Sequence, residues 1–562
     1  MRKLFLLFAI LTIFVLNANA QQPTWEWAKQ AIGFGEVSCM ASDDSGNVYL
    51  AGTFESTLTF DSYSVITTPP NGNESVFLAK YNSSGNVVWV KSPNDSASSA
   101  NSPSGIAIDA SGNVYITGMF ISSTITFGAF TLINHSNNAD MYFVKYDAGG
   151  NVIWAKGIGG NGYECGQGLA IDALGNIYVT GIYNSFALSF GNYTIFNSSS
   201  GGICNIFLAK YDSSGNALWA KSAGGLNDDE ANWVACDLFG NVYITGFFNS
   251  QVAHFGLDSI INSSGTADFF LAKYDTSGNV KWVKNAKGQC TDVGNFVKTD
   301  SHGNVYVTGY YESGAIFIDS DTLLYNGVGG DNVFIVKYDS SGQLQWANRG
   351  IGNGIGYSLT IDSSESVYVC GGMEDSTISF NNINLNWTGP YVICHGPEPM
   401  FIVKFNSIGN AIYGFALGAG GDDFCGIFNG PSNSIYIGGD FMPHLFIIGN
   451  DSLTLISGES PFIAKFGTSD LGIPEIKSEQ NIILYPNPTS GTFTLSIRNY
   501  ELGIRNGKIK IYDVLGNEVY SQAIINQQSS IINLPDLSNG IYYWEMMGDK
   551  GIEGKGKIAI MH

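Results

Sequence analysis

The chain has 562 residues, a formal net charge of −22 and a sequence pI near 4.5. Charged residues make up only 13%, whereas 13% are aromatic and 70 are glycine. This balance lacks the clustered lysine and arginine that binding to nucleic acid requires, argues against electrostatic docking on anionic lipid, and leaves ample apolar material for ordered cores.

The first twenty residues read as a signal peptide. Arg2 and Lys3 give a positive start, Leu4 to Leu16 is an almost unbroken apolar run, and Ala18-Asn19-Ala20 is a small-x-small cleavage site. Cleavage after Ala20 is expected, with a mature start at Gln21. No later stretch is long and apolar enough to span a bilayer, so the mature chain is expected to have no transmembrane segment. Eight cysteines follow, an even number that permits disulfides in an exported chain. Their spacing is irregular and contains no CxxC, which argues against a zinc site; burial as small hydrophobes is the other reading.

Residues 21–467 repeat themselves with a period of about 64 residues. One phrase begins Gly46-Asn47-Val48-Tyr49 and returns at Tyr115, Tyr178, Tyr243, Tyr306, Tyr368 and Tyr436. A second, of the form FLAKY, centres on Lys80, Lys145, Lys210, Lys273, Lys337, Lys404 and Lys465. A third is a tryptophan strand at Trp27, Trp89, Trp154, Trp219, Trp282 and Trp346, with Tyr413 in its place in a later copy. Each copy reads as strands joined by Asp-, Asn-, Ser- and Gly-rich turns, plus a short extra hairpin such as Thr124 to Leu132. The strands do not alternate between apolar and polar residues, as expected where both faces are buried. Four strands in each of seven copies predict a seven-bladed β-propeller. The opening strand Trp25 to Lys29 and the closing strand Phe462 to Phe466 are complementary orphans, and their pairing would close the ring.

The phrase from Ile106 to Gly118, Ile-Ala-Ile-Asp-Ala-Ser-Gly-Asn-Val-Tyr-Ile-Thr-Gly, resembles the bacterial β-propeller repeat family known as SBBP. That resemblance covers residues 24–467 and implies a fold and an extracellular setting, with no reaction. Two copies depart from the pattern: Glu365-Ser366 stands for Gly-Asn, and Asn429 for the turn aspartate.

Residues 468–480 read as a linker, and residues 481–562 as a small Ig-like β-sandwich of short strands with Pro, Asn and Gly at the corners. Tyr485-Pro486-Asn487-Pro488 with Gly491, Ile511-Tyr512-Asp513 with Gly516, Leu537 to Tyr542 and the strand at Lys557 stand here in that order. Together they resemble the type A C-terminal sorting domain of the type IX secretion system, an arrangement of Bacteroidota type. The resemblance implies passage through the periplasm to the medium or the outer cell surface, with the type IX machinery as a partner.

Candidate chemistry is sparse. The FLAKY lysines recur in every copy and read as architecture, with heads reaching solvent or a turn aspartate. Gly157 to Gly162 fits GxGxxG, but no helix follows to complete a phosphate cradle. Five internal histidines show no ligand spacing, and nothing assembles a catalytic residue set. Acids recur before the inner strands: Glu36, Glu164, Asp228, Asp229, Glu230, Asp292, Asp422 and Asp423. Asp228, Asp229, Asp422 and Asp423 are the candidate metal ligands, with Ca²⁺ as the ion, against the alternative that each acid caps its own loop. Tyr163, Trp233, Trp387 and Tyr391 are the candidate ligand-binding aromatics, against inter-blade packing. The Ser92 to Ser104 stretch reads as a solvated connection. The leading expectation is a non-enzymatic binding protein that recognises a glycan or a surface protein through one propeller face. A secreted polysaccharide hydrolase or lyase using loop acids, and a structural surface component, are the alternatives.

Overall fold

The computed structural model describes residues 24–560. The segments it leaves out are 68–73, 96–100, 200–201, 263, 325–329, 388–397, 421–424, 443–444, 450, 456–457, 468–481, 486–491, 498–505, 514–516, 526–528, 535–536, 538–539 and 549–550. The signal peptide and linker expectations therefore lie outside the described residues. The chain divides into two compact units at Thr468/Ser469.

The first unit is a β-propeller. Seven antiparallel sheets follow one another along the chain, six of four strands and one extended to six by the hairpin Val252–Phe255 with Asp258–Ile261. In each, the first strand is innermost, as in the sheet made by Ser102–Ile108, Val114–Phe120, Asp140–Tyr146 and Val152–Ile158. Inner strands lie against one another around the ring, and Cys425–Asn429 of the last sheet returns to Gly35–Ser42 of the first. The last sheet takes its outer strand from the start of the chain: Thr24–Gln30 pairs with Ser460–Gly467, in the register Trp27↔Lys465 and Gln30↔Phe462. The two orphan strands thus meet. The short hairpin of each repeat also forms, as in Thr124–Phe127 with Phe130–Ile133.

The core explains why strands lack alternation. Seven apolar clusters each join two neighbouring sheets. Every tyrosine of the repeated Val-Tyr phrase is fully buried, from Tyr49 to Tyr436. In five of them the hydroxyl donates to the turn aspartate of its own sheet, as Tyr49 does to Asp43 (3.0 Å) and Tyr243 to Asp237 (3.0 Å), while Tyr436 donates to the carbonyl of Gly46 (3.0 Å).

The FLAKY lysine and the tryptophan work as a clasp on the next blade. Lys80 Nζ and Trp89 Nε1 both donate to the carbonyl of Ala148, each at 3.2 Å. Lys210 and Trp219 do the same to Thr276, Lys273 and Trp282 to Ser340, and Lys337 and Trp346 to Ser407. Lys80, Lys145, Lys210, Lys273 and Lys337 are thus buried on a neighbour's turn rather than in solvent, whereas the expected turn aspartate is met by Lys404 at Asp362 (3.0 Å) and by Lys210 at Asp172 (3.7 Å), and Lys465 pairs with Glu26 (2.8 Å). Each ammonium also lies over its own sheet's tyrosine ring, 5.0 Å for Lys80 over Tyr49, a cation–π contact. The tryptophan ring lies flat on the glycine of the gripped turn. A Cβ on Gly150 would come within 3.0 Å of Trp89, and one on Gly409 within 2.7 Å of Trp346. These glycines also hold positive φ, so no other residue fits on either count. At the seam Trp27 repeats the grip, donating to Ser83 of the first sheet and lying on Gly85.

Cys39, Cys165, Cys204, Cys236, Cys290 and Cys370 are free thiols, with Cys39, Cys165 and Cys370 packed as small hydrophobes. The second unit has two antiparallel sheets. Thr492–Ile497 lies between Ile482–Tyr485 and Ser529–Asn533, and the other sheet is built on Asn506–Tyr512 and Gly540–Gly548. Ile532 and Leu534 share one core with Ile509, Ile511, Trp544 and Met546, so the two sheets bury a common face.

If the seam is equivalent to the other interfaces, Trp27→Ala lowers stability by about 2–4 kcal/mol, comparable to Trp219→Ala. Chemical denaturation of both variants measures this. A near-neutral Trp27→Ala beside a costly Trp219→Ala contradicts closure at this seam.

Candidate binding site on the propeller axis

Six of the seven inner strands carry the same irregularity. The register against the second strand slips by one residue at Ser38, Ser104, Gln167, Asn232, Asn295 and Tyr357. A β-bulge of this kind releases one residue from the ladder and re-aims its side chain. All six released residues line a single cavity of about 730 Å³ on the ring axis. Two are also fixed by the neighbouring blade: Asn232 donates to the carbonyl of Gly294 (3.1 Å) and Asn295 to that of Gly356 (3.0 Å).

Aromatic groups fill one side. Trp233 and Phe296 stack at 4.5 Å between ring centroids and 26° between planes, and Tyr310 and Tyr357 join them in the lining. Burial first, then the nearby carboxylates of Asp331, Glu312 and Glu374, pushes the Tyr310 hydroxyl up to about 12, so it stays a donor at neutral pH. Glu36, Asp440 and Glu459 stand together in the same lining. Asp440 is almost completely buried. Its carboxyl titrates well above the usual range because of burial first, then its hydrogen bond to Glu459 and the charges of Glu459 and Glu36. The corresponding places on the other second strands hold Thr53, Met119, Ile182, Phe247, Tyr310 and Gly372. The acid is peculiar to the last blade.

The candidate residues from the sequence are not brought together. Trp233 lines the cavity from within the strand Asp229–Cys236. The bulge at Asn232 is what turns this part of the strand toward the axis. Tyr163 is half-buried away from the lining; its hydroxyl donates to Met119 Sδ (3.0 Å). Trp387 packs on the core of the sixth sheet, so close to Gly418 that a Cβ there would overlap its ring. Tyr391, Asp422 and Asp423 lie outside the described residues.

The recurring acids divide by one position in the strand. Asp229, fully buried at the strand head, accepts from the backbone N–H groups of Gly225 (2.7 Å), Asn249 (3.0 Å) and Ser250 (3.0 Å) and from Ser250 Oγ (2.7 Å). Glu164 accepts from Gly160 and Ser185 in the same place, and Asn101 from Ile121 and Ser122. Asp228 accepts from the Cys204 N–H (2.8 Å). Glu36 comes one residue later in its strand and faces the cavity. The Ser92 to Ser104 stretch is corrected in part: Ser102, Pro103 and Ser104 belong to an inner strand and line the site. Ser38, Gln167, Asn295, Asp440 and Glu459 went unrecognised in the sequence. The available signal was their variation at one fixed place in otherwise uniform copies.

Residues 483–561 match the model of the family described as the secretion system C-terminal sorting domain. The chain carries a secretion-system sorting domain. That domain marks proteins exported to the cell surface or beyond, and this protein is one of them. The propeller region is 27% identical over 380 residues to an uncharacterized WD repeat-containing protein, L264, of Acanthamoeba polyphaga mimivirus, covering 55% of this chain and 26% of that one. A stretch of 142 residues is 29% identical to regulatory protein FlaEY of Caulobacter vibrioides, 25% of this chain and 14% of the other. The chain thus spans about a quarter or less of these relatives' length. Among solved structures, the WD40 domain of Neurospora crassa Pan2 aligns over 78% of this chain and 90% of its own, at 8% identity and a TM-score of 0.37. The described residues contain no helix long and apolar enough to cross a membrane.

Asp292 gives the site region a measurable pH dependence. It occupies the strand-head place of Asp229, fully buried, and burial, with the charges of Asp268 and Glu312, pushes its carboxyl up to about 8 against the lowering effect of Ser313. The folded state therefore holds a proton that the unfolded chain releases near pH 4, so this contribution to stability is full below pH 4 and is lost as pH rises toward 8. Asp292→Asn is expected to flatten the decline in melting temperature between pH 4 and 8 and to stabilise the protein at pH 8 by about 1 kcal/mol or more. Melting curves of both proteins across that range test it, and parallel pH profiles contradict it.

Proposed function

We propose that this protein is an exported, glycan-binding propeller that holds a short saccharide in its axial cavity. The observation that carries the reading is the lining: aromatic faces of Trp233, Phe296, Tyr310 and Tyr357 beside the amides and hydroxyls of Gln167, Asn232, Asn295, Ser38 and Ser104. Aromatic faces stack on the C–H faces of sugar rings while amides and hydroxyls pair with ring hydroxyls. A cavity of about 730 Å³ is of small-ligand size. Glu36 and Glu459 set the sign of the charge, favouring neutral or amino-bearing sugars over uronic acids. The repeat belongs with the SBBP type, export starts at the signal peptide 1–20, and the sorting domain is removed on arrival.

One observation favours hydrolysis as a second reading. Asp440 and Glu459 form a hydrogen-bonded carboxyl pair in the cavity wall, with Asp440 held above the usual carboxylate range by burial, the kind of pair that separates general acid from base in glycoside cleavage. Conversion of a bound oligosaccharide by the wild type, abolished in Asp440→Asn, would replace binding by catalysis as the function.

Screening the full secreted chain on a glycan array, then measuring hits by calorimetry, tests the binding reading. Trp233→Ala is expected to weaken binding at least about tenfold. Gln167→Ala is expected to weaken it with an unchanged melting temperature, because a bulge residue leaves the ladder intact. Undiminished affinity in both variants would place the ligand elsewhere.

Export has its own test. A chain ending at Gly467 is expected to fold and remain in the periplasm, and residues 478–562 fused to a periplasmic reporter are expected to carry it outside in a host with the secretion machinery. Surface delivery of the truncated chain at full yield contradicts this.

A further inference from the structure

The turns between first and second strands follow one pattern around the ring: Asp, two variable residues, Gly, Asn. Two neighbouring turns, the fifth and the sixth, each carry an ionisable side chain at a place where no other turn has one, while the seventh departs separately with Asn433 for the glycine. The fifth sheet's turn places His302 where the others have Ser45, Ser111, Leu174, Phe239 and Ser364. The sixth sheet's turn replaces the glycine by Glu365. In five turns that glycine has φ between +77° and +79°, and Glu365 adopts the same left-handed backbone at φ +59°. The turn is kept: Asp362 accepts from the N–H groups of Ser364 and Ser366. The seventh turn also holds a side chain here, Asn433 at φ +58°, but asparagine tolerates the left-handed region far better than glutamate does.

The two departures converge. Glu365 Oε1 lies 2.6 Å from His302 Nδ1, across the boundary between blades. Asp300, which accepts the His302 and Asn304 N–H groups at one oxygen and the Tyr306 hydroxyl at the other, stands beside them. One ligand atom from each of Asp300, His302 and Glu365 lies within 4.8 Å of the other two. Among the described residues this is the one such group of metal-ligating side chains. An exposed ion pair stabilises less than a left-handed non-glycine residue costs, so the His302–Glu365 contact by itself does not account for the substitution.

We propose that Asp300, His302 and Glu365 bind a divalent transition metal of the Zn²⁺ class and that the ion joins the turns of the fifth and sixth blades. An imidazole nitrogen with two carboxylate oxygens suits zinc or cobalt rather than Ca²⁺, which takes oxygen ligands throughout. Two carboxylates neutralise the charge of the ion. Open coordination positions face water, because the His302 side chain is 69% exposed. The site is separate from the axial cavity and does not depend on the glycan reading.

The test uses the untagged full chain freed of metal. One equivalent of Zn²⁺ is expected to bind by calorimetry and to raise the melting temperature, and Co²⁺ is expected to give a ligand-field absorption that Zn²⁺ displaces. His302→Ala should weaken Zn²⁺ binding at least tenfold. Glu365→Gly should do the same while melting at or above the wild type without metal, since it restores the glycine of the repeat. That variant separates lost ligation from lost folding. The proposal is overturned if the wild type binds no Zn²⁺, if both variants bind as tightly as the wild type, or if Glu365→Gly lowers metal-free stability, which would make the His–Glu contact the reason for the residue.

Discussion

One contact sets the terms for the rest of the propeller: an indole ring laid flat on a glycine turn of the next blade, with its N–H and the neighbouring lysine ammonium on that turn's carbonyl. It demands a glycine with positive φ, a tryptophan on the outer strand and a lysine on the strand beside it, all in fixed register. It also demands that the lysine be buried, which the tyrosine ring beneath it and the carbonyl ahead of it make tolerable. The repeated phrases of the sequence are the parts of this contact. Blade interfaces are otherwise apolar and non-directional; at six of them the tryptophan ring on the next turn's glycine sets a defined offset, and the repeated offset brings the last strand back to the first.

A ring held in this way at its outer part leaves its inner strands free to differ. The bulges use that freedom. Each takes one residue out of the hydrogen-bonded ladder at the same height, so six side chains face the axis with little effect on the sheets that carry them. The charge on the cavity wall has a different origin, in a substitution on one second strand, Asp440, and in Glu459 beside it. The symmetry belongs to the scaffold, and the chemical character of the axis comes from the places where symmetry is broken.

The fold was legible because its signals are repeated and local. A turn rich in Asp and Gly, a Val-Tyr strand and a Trp strand mean little once; seven times at one spacing they specify sheets, order and closure. The site was legible only in part. Trp233 stood out as an aromatic departure, but Gln167 and Asn295 look like ordinary polar strand residues, because a bulge is a matter of register between two strands and leaves no mark in either one. The strand-head acids misled for a related reason. Asp229 and Glu36 sit one place apart relative to the bulge, and that single place decides between a loop's N–H groups and the cavity. His302 and Glu365 have no sequence spacing that suggests a shared ligand, since their proximity exists only between blades.

The borrowed outer strand has a consequence for the order of assembly. Residues 24–30 leave the ribosome first, yet their partner strand is made more than four hundred residues later. Six sheets can form as they emerge, each from its own consecutive residues, while the first segment waits and the growing array presents an unpaired edge. Closure is a single late event between the oldest and the newest parts of the propeller.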